Sequence, residues 1–127
     1  MARIDSFEDL EIWQEARVLC MKIRILTQET SFKSDFRFCS QFNSAAGSIM
    51  DNIAEGFERD GNKEFINFLY IAKGSNGEAR SQSYRAFDAG FISKESLEDL
   101  LGKTERLKRK INNLIITLKT SGTKGYK

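Results

Sequence analysis

The chain has 127 residues and a mass of 14.5 kDa, which is the size of one domain, because two cores cut from this length would each be too small to stand alone. Hydrophobic residues make up 40% of it and include ten phenylalanines, which excludes a disordered chain. There is no histidine, the usual general base and the commonest metal ligand, and no proline to interrupt a long helix. This composition favours a helical domain without histidine-based chemistry.

The two cysteines, Cys20 and Cys39, lie among apolar residues and form no CxxC motif. They are too few for a disulfide scaffold, so we expect buried free thiols and a reducing compartment. No apolar run approaches the roughly 20 residues that cross a bilayer, and the first five residues do not resemble a signal peptide. The sequence therefore predicts a soluble, cytoplasmic protein without a membrane partner.

Apolar residues recur at helical spacing along nearly the whole chain, and no segment alternates like a strand. Ser6 is a suitable N-cap for a first helix, which fades near residues 27–30. Ser34 or Asp35 begins a second helix, whose apolar seam includes Asn52. An amide on a seam is costly unless it is hydrogen-bonded, so we expect Asn52 to fix the register between helices or subunits.

A tight connection follows, in which Gly61 suits a left-handed conformation and Asn62 caps a third helix. Residues 74–78 contain two glycines and a capping-box pattern that could break this helix, but the apolar seam continues in phase, so we favour one continuous helix. Gly90 ends it, and Ser93 caps a fourth helix.

Four helices with three short connections predict an all-α fold, an antiparallel up-down-up-down four-helix bundle over residues 1–119, with a flexible basic tail at 120–127. If the second and third helices form a hairpin, residues 45–47 lie opposite residues 74–76. Small side chains would then meet small side chains, which would explain the glycines without a loop.

The net charge of +2 hides an uneven distribution: residues 1–100 carry 12 basic and 17 acidic side chains, whereas residues 101–127 carry eight and one. Four cations of the fourth helix share one stripe: Lys103, Arg106, Arg109 and Lys110. Such a stripe is typical of a nucleic-acid surface. In this bundle it would also lie near the acidic start of the first helix, which could neutralise it. Both interpretations remain open.

The sequence contains little that indicates a catalytic or metal-binding site. Asp51 and Glu55 have the spacing that diiron bundles use, but those sites also need histidine. The candidate serine nucleophiles have no base spaced to serve them. We therefore expect no enzyme, no catalytic or metal-binding residue and no cofactor. Trp13, Phe36 and Phe87 fall outside or at the edge of the seams, which favours a homo-oligomer with aromatic residues at its interface.

Three segments resemble one known family. Residues 7–16, FEDLEIWQEA, resemble its opening F-x-D-L-x-V-W-Q-x-A. Gln41 followed by residues 45–57, AAGSIMDNIAEGF, resembles Q…A-x-S-I-x-x-N-I-A-E-G, and residues 64–78 resemble E-F-x-x-F-L-x-I-A-x-G-S-x-x-E. These are motifs of the bacterial four-helix bundle proteins, also called 23S rRNA-intervening sequence proteins, and the resemblance covers about residues 6–118.

The resemblance implies a four-helix bundle that forms a ring-like homopentamer. Some members are encoded within intervening sequences of ribosomal RNA genes. A similar protein, the accessory variability determinant of diversity-generating retroelements, binds a reverse transcriptase and nucleic acid through a basic surface. The resemblance also implies that six polar residues of these motifs serve packing or assembly, in a polar core of the bundle or of the oligomer: Gln41, Ser48, Asn52, Glu55, Ser75 and Glu78.

The chain departs from the family pattern after Gln41, where members often carry basic residues and residues 42–44 are Phe, Asn and Ser. This leaves the fourth helix as the candidate nucleic-acid surface. We therefore expect a non-enzymatic oligomer, pentameric if the family geometry holds, that binds structured RNA or a nucleic-acid-processing protein. The alternative is a purely structural or protein-binding oligomer with no nucleic-acid role.

Overall fold

The computed structural model describes residues 4–120 of the chain, which contain five α-helices and no strand. The all-α class is therefore confirmed. A 3-10 turn at Phe7–Asp9 comes before the helices, which are α1 (Glu11–Leu26), α2 (Thr30–Lys33), α3 (Phe36–Glu58), α4 (Gly61–Asp88) and α5 (Lys94–Thr120). Of the predicted tail, Thr120 ends α5 and residues 121–127 lie outside the described residues.

Two of the predicted N-caps are confirmed and one is displaced. The Asp35 carboxylate accepts a hydrogen bond from the Phe38 N–H at 3.1 Å and caps α3, and Ser93 caps α5 in the same way. Ser6 accepts the Glu8 N–H at 3.3 Å, but it caps the 3-10 turn rather than the first helix. Helix α1 begins only after this turn.

The short helix α2 is not predicted by the sequence, because four residues are too few to carry a periodicity. Its Phe32 is completely buried. The ring centroid lies 4.8 Å from that of Phe91 and 5.5 Å from that of Phe38, so α2 is held by aromatic packing at the joint between α1 and α3.

Two glycines adopt positive φ angles, Gly61 at 81° and Gly90 at 78°. After Gly90, the Phe91 N–H reaches back to the Ala86 carbonyl at 2.9 Å, which is the helix-ending bond expected there. The prediction for Asn62 is wrong. Asn62 lies inside α4 and donates its side-chain amide to the Leu118 carbonyl at 3.2 Å, so it joins α4 to α5 instead of capping.

Helix α4 continues without a break through residues 74–78, as expected. The predicted reason for its glycines, close packing of residues 74–76 against residues 45–47, is wrong. A methyl group added at Gly47 or Gly74 would meet nothing within 4 Å. The close approach of α3 to α4 occurs at Gly56 instead, where an added Cβ would lie 2.6 Å from the Phe68 Cβ.

The core lies between the four long helices. Helix α4 packs against α3 and α5, and α1 packs against α3 and, less extensively, α5. Each long helix contributes fully buried aliphatic side chains: Leu19 and Ile23, Ile49 and Ile53, Leu69, and Leu100 and Ile111. Among the described helices, none is long and apolar enough to span a bilayer.

Both thiols are free, and both are half-buried rather than fully buried as predicted. Burial raises the pKa of the Cys20 and Cys39 thiols. The Cys39 thiol also donates to the Phe32 carbonyl at 3.2 Å. Both cysteines are therefore protonated at neutral pH and are weak nucleophiles.

We expect Gly56→Ala to lower the free energy of unfolding by about 1–3 kcal/mol, because its methyl group overlaps the Phe68 side chain on α4. The matched control is Gly102→Ala in α5, where an added Cβ meets nothing within 4 Å. There alanine should stabilise the helix by about 0.5–1 kcal/mol. Urea unfolding checks both, and equal stabilities of the two variants would contradict the close approach.

Candidate functional site

A polar groove between α3 and α4, with a volume of about 560 Å³, collects several of the motif residues. It is open to solvent along one side of the helix pair. Its lining comprises Ser40, Gln41, Ser44, Ala45 and Ser48 of α3 and Glu78, Gln82 and Arg85 of α4. Three of the six predicted polar-core residues, Gln41, Ser48 and Glu78, therefore line a surface groove.

Ser48 is the centre of a hydrogen-bond network at one end of this groove. Asn52 donates its amide to the Ser48 carbonyl at 2.8 Å and to the Ser48 hydroxyl at 2.9 Å, one turn along the same helix. Ser75 of α4 donates to the Ser48 hydroxyl at 3.0 Å. Of these three bonds, the one between the two serines crosses from α3 to α4.

The predicted position of Asn52 on a buried seam is wrong. Asn52 is half-buried, and both of these hydrogen bonds to Ser48 stay within α3. Glu55 is exposed and lies 2.7 Å from the Arg59 guanidinium, whose pKa this hydrogen bond raises. None of the six motif residues is buried. They form a polar face on the outside of α3 and α4 rather than a core of the bundle.

Four groove residues were not predicted from the sequence: Ser40, Ser44, Gln82 and Arg85. Of these, Gln82 is only 4% exposed, and within residues 4–120 its Oε1 accepts no hydrogen bond. An unsatisfied buried amide oxygen costs about 1–3 kcal/mol. Its spacing, four residues after Glu78 and three before Arg85, was the available signal, since this spacing places all three on one helix face.

A partly buried polar cluster that was not predicted joins α4 to α5. The Asn76 amide donates to the Thr104 carbonyl at 2.9 Å. The Arg80 guanidinium donates to the Leu101 carbonyl at 2.7 Å and to the Thr104 hydroxyl at 3.0 Å. These groups have the role that the sequence analysis assigned to Asn52.

The basic stripe of α5 is paired with carboxylates. Lys103 lies 2.6 Å from Asp99, and Arg109 lies 3.9 Å from Glu105. Arg106 lies 3.3 Å from Glu15 of α1.

Lys110 contacts both Glu11 and Glu15 at the start of α1. The geometry thus agrees with the interpretation in which α1 neutralises the stripe. The Arg106 and Arg109 side chains nevertheless remain 62% and 68% exposed, and exposed ion pairs of this kind are weak.

Helix α1 has a second apolar face that points to solvent. Val18, Met21 and Ile25 are between 52% and 58% exposed, although they follow the i, i+3, i+7 spacing of a helix-packing seam. We call these three residues the apolar ridge. Arg17 and Arg24 lie beside it and line the adjacent cleft.

The aromatic residues proposed for an interface are placed differently. Phe36 is 79% exposed and Phe87 is exposed, as expected. Trp13 is half-buried, with its ring centroid 5.2 Å from that of Phe7. The apolar ridge is a more compact exposed surface than these three aromatic residues. The sequence did not predict it, because α1 was expected to have one apolar face only.

Within the described part of the chain, no three side chains of the metal-ligating types come together. The Ser48 hydroxyl of the groove is hydrogen-bonded to Asn52 and Ser75, neither of which is a general base.

The model of the 23S rRNA-intervening sequence protein family matches residues 8–113. The chain belongs to this family. A similar solved structure is a protein of unknown function from the S23 ribosomal protein family of Bacteroides thetaiotaomicron VPI-5482. It has a TM-score of 0.77 and 19% identity, and the alignment covers 84% of this chain and 96% of that one. At this identity the similarity concerns the fold alone. No curated protein gives a significant match.

In this family member, we expect Ser48→Ala to lower the free energy of unfolding by about 1 kcal/mol, because the hydroxyl joins Asn52 and Ser75. Ser44→Ala is the control, since Ser44 is an exposed serine of the same groove. A double-mutant cycle of Ser48→Ala with Ser75→Ala, read by urea unfolding, should give a coupling above about 0.5 kcal/mol. Strict additivity would contradict the cross-helix bond.

Proposed function

We propose that this family member is a non-enzymatic subunit of a homo-oligomer, and that its four long helices form an antiparallel up-down-up-down bundle. Pairs of residues along the α1–α5 contact support the antiparallel direction. Lys110 lies beside Glu11, Arg106 beside Glu15, and Asp99 beside Lys22. Residue numbers therefore increase along α1 in the direction in which they decrease along α5.

The observation that carries the oligomer is the apolar ridge. A surface helix of a monomer normally has one apolar stripe that faces its core. Helix α1 buries one such stripe, with Ile12, Leu19 and Ile23, and exposes a second one at Val18, Met21 and Ile25. Covering large apolar side chains contributes about 25 cal/mol per Å² removed from water, so this ridge favours association.

We expect sedimentation of the wild-type protein at micromolar concentration to give one oligomer, a pentamer if the family geometry applies. The species should persist at high salt, because apolar contacts are not screened. A 14.5 kDa monomer under these conditions would contradict the proposal.

RNA binding is the second candidate function, and the exposure of Arg106 and Arg109 favours it. The family description, which names an rRNA-intervening sequence, is compatible with an RNA partner. The similarity to the accessory variability determinant, the nucleic-acid-processing partner and a cytoplasmic location remain predictions. The ion pairs with α1 make this candidate weaker than assembly.

We expect RNA affinity to fall with salt and the double variant Arg106→Gln/Arg109→Gln to lower the slope of log affinity against log salt by about two units. Glu15→Gln is the informative counterpart, because it removes the carboxylate beside Arg106, while Lys110 keeps its contact with Glu11, and it should raise the affinity. Filter binding at several salt concentrations measures both. Wild-type affinity and slope in both variants would refute an RNA surface on α5.

A further inference from the structure

The side of helix α4 that lies beside α5 combines aromatic rings with cations. Its residues follow each other at alternating steps of four and three, which places them on one helix face: Ile66, Tyr70, Lys73, Gly77, Arg80, Tyr84 and Phe87. We call these seven residues the α4 face. We propose that the α4 face, together with Lys108 of α5, binds a single strand of RNA, with bases stacked on the tyrosines and phosphates beside the cations. The inference rests on RNA binding, the second candidate function, and assigns it to a different surface from the α5 stripe.

The charge of Arg80 is the first observation that points to an anionic ligand. Its guanidinium donates to the Leu101 carbonyl at 2.7 Å and to the Thr104 hydroxyl at 3.0 Å, and both acceptors are neutral. Within residues 4–120, no carboxylate pairs with Arg80, although the residue is half-buried. A charge that is partly removed from water is normally paired, so an anion near Arg80 is favoured.

Two lysines extend this positive region along both helices. The Asn76 amide donates to the Thr104 carbonyl at 2.9 Å, which fixes the level at which α4 and α5 meet. Lys73 lies one turn before Asn76, and Lys108 lies one turn after Thr104. Since the two helices run in opposite directions at this contact, the two lysines come to the same height. In the part of the chain that the structure describes, neither of them forms an ion pair.

Carboxylates are scarce around these cations. Between residues 65 and 87, α4 has only Glu78, which lines the groove on its other side, towards α3. Between residues 100 and 120, α5 has only Glu105, which lies 3.9 Å from Arg109. The α4 face therefore differs from the α5 stripe, where every cation is paired with a carboxylate, and it has the positive charge that a phosphate backbone requires.

The aromatic rings indicate that the ligand has bases to stack. Tyr70 and Tyr84 are 45% and 46% exposed, and they lie about 21 Å apart along the helix axis. The Lys119 ammonium lies 5.2 Å from the centroid of the Tyr70 ring, so this ring already has a cation beside it. Gly77 lies midway between the tyrosines, and a Cβ added there would meet nothing within 4 Å. Exposed rings with cations between them are typical of surfaces that bind single strands.

Single-stranded RNA fits these observations better than an acidic protein or a duplex. Lysine is depleted at contacts between proteins, whereas two unpaired lysines are found here. In a duplex the bases stack on one another, so they are not free to stack on a tyrosine. The α4 face is also separate from the apolar ridge, because α1 packs mainly against α3 and α5. Assembly through the ridge therefore leaves the α4 face accessible.

Two glutamate variants compare the α4 face with the α5 stripe. Gly77→Glu places a carboxylate between Lys73 and Arg80, and Gly102→Glu places one a turn before Arg106. Both glycines are exposed, and a Cβ at either meets nothing within 4 Å. Neither variant should melt earlier than wild type, because glutamate favours a helix more than glycine does. Fluorescence anisotropy with a labelled oligouridine of about 12 nucleotides should show a loss of about tenfold in Gly77→Glu and of less than about twofold in Gly102→Glu.

Tyr84 tests stacking separately from charge. Tyr84→Ala should lower the affinity for oligouridine about fivefold or more, whereas Tyr84→Phe should keep it, because phenylalanine also stacks. An oligonucleotide of the same length without bases should bind wild type and Tyr84→Ala equally. Phe36→Ala is the aromatic control, since Phe36 is 79% exposed on α3 and lies outside the α4 face, and it should bind as wild type does.

The two lysines test the phosphate contacts. Lys73→Gln/Lys108→Gln should lower the slope of log affinity against log salt by about 1.4 units, because each phosphate contact on a single strand contributes about 0.7. Lys33→Gln, at an exposed lysine of α2, should leave the slope unchanged.

The results distinguish the α4 face from RNA binding in general. A wild type that binds neither oligouridine nor duplex RNA overturns both proposals. Binding that is weakened only by Gly102→Glu and by Arg106→Gln/Arg109→Gln overturns the α4 face and supports the α5 stripe. Equal losses in the two glutamate variants, or a duplex bound as tightly as the single strand, also overturn the α4 face alone. Polyglutamate bound as tightly as oligouridine would indicate an acidic protein partner and would overturn it too.

Discussion

Helix α3 approaches α4 so closely at Gly56 that no methyl group fits against Phe68. Among the helices of residues 4–120, this pair has the most extensive contact. It holds Ser48 within hydrogen-bond distance of Ser75, and it leaves a groove beside them on the solvent side. On the opposite side the same pair provides the surface on which α1 and α5 pack.

Charge has two different roles in this molecule. Along α5, Arg106 and Lys110 face carboxylates of α1, whereas Lys103 and Arg109 pair with carboxylates of α5 itself. Beside the apolar ridge, Arg17 and Arg24 belong to an exposed surface that has apolar residues between them. An excess of basic residues in a sequence therefore does not locate a nucleic-acid surface. Its meaning depends on which carboxylates the fold brings near.

Much of the fold could be predicted, because long amphipathic helices are recognisable from the spacing of their apolar residues and from N-caps such as Asp35 and Ser93. Helix α2 could not, since its formation depends on the burial of Phe32 among distant rings. The sequence identified motif residues of the site, but it did not predict that they lie on the outside of α3 and α4. Ser48 and Asn52 lie only slightly off the buried stripe of α3. A small rotation of the helix about its axis therefore decides whether such side chains face the core or the solvent. Gln82 was missed although its spacing from Glu78 and Arg85 places all three on one helix face.

The contact between α1 and α5 differs in kind from the others. Lys110, Arg106 and Lys22 face carboxylates at its edge, and the contact is less extensive than that between α3 and α4. Dissolved ions compete with such pairs, whereas they leave the aliphatic core unaffected. Raising ionic strength therefore loosens one particular seam of the bundle rather than the whole. Amide hydrogens along α1 would then exchange with solvent before those of α3 and α4, so that the α1–α5 seam is where the bundle begins to open.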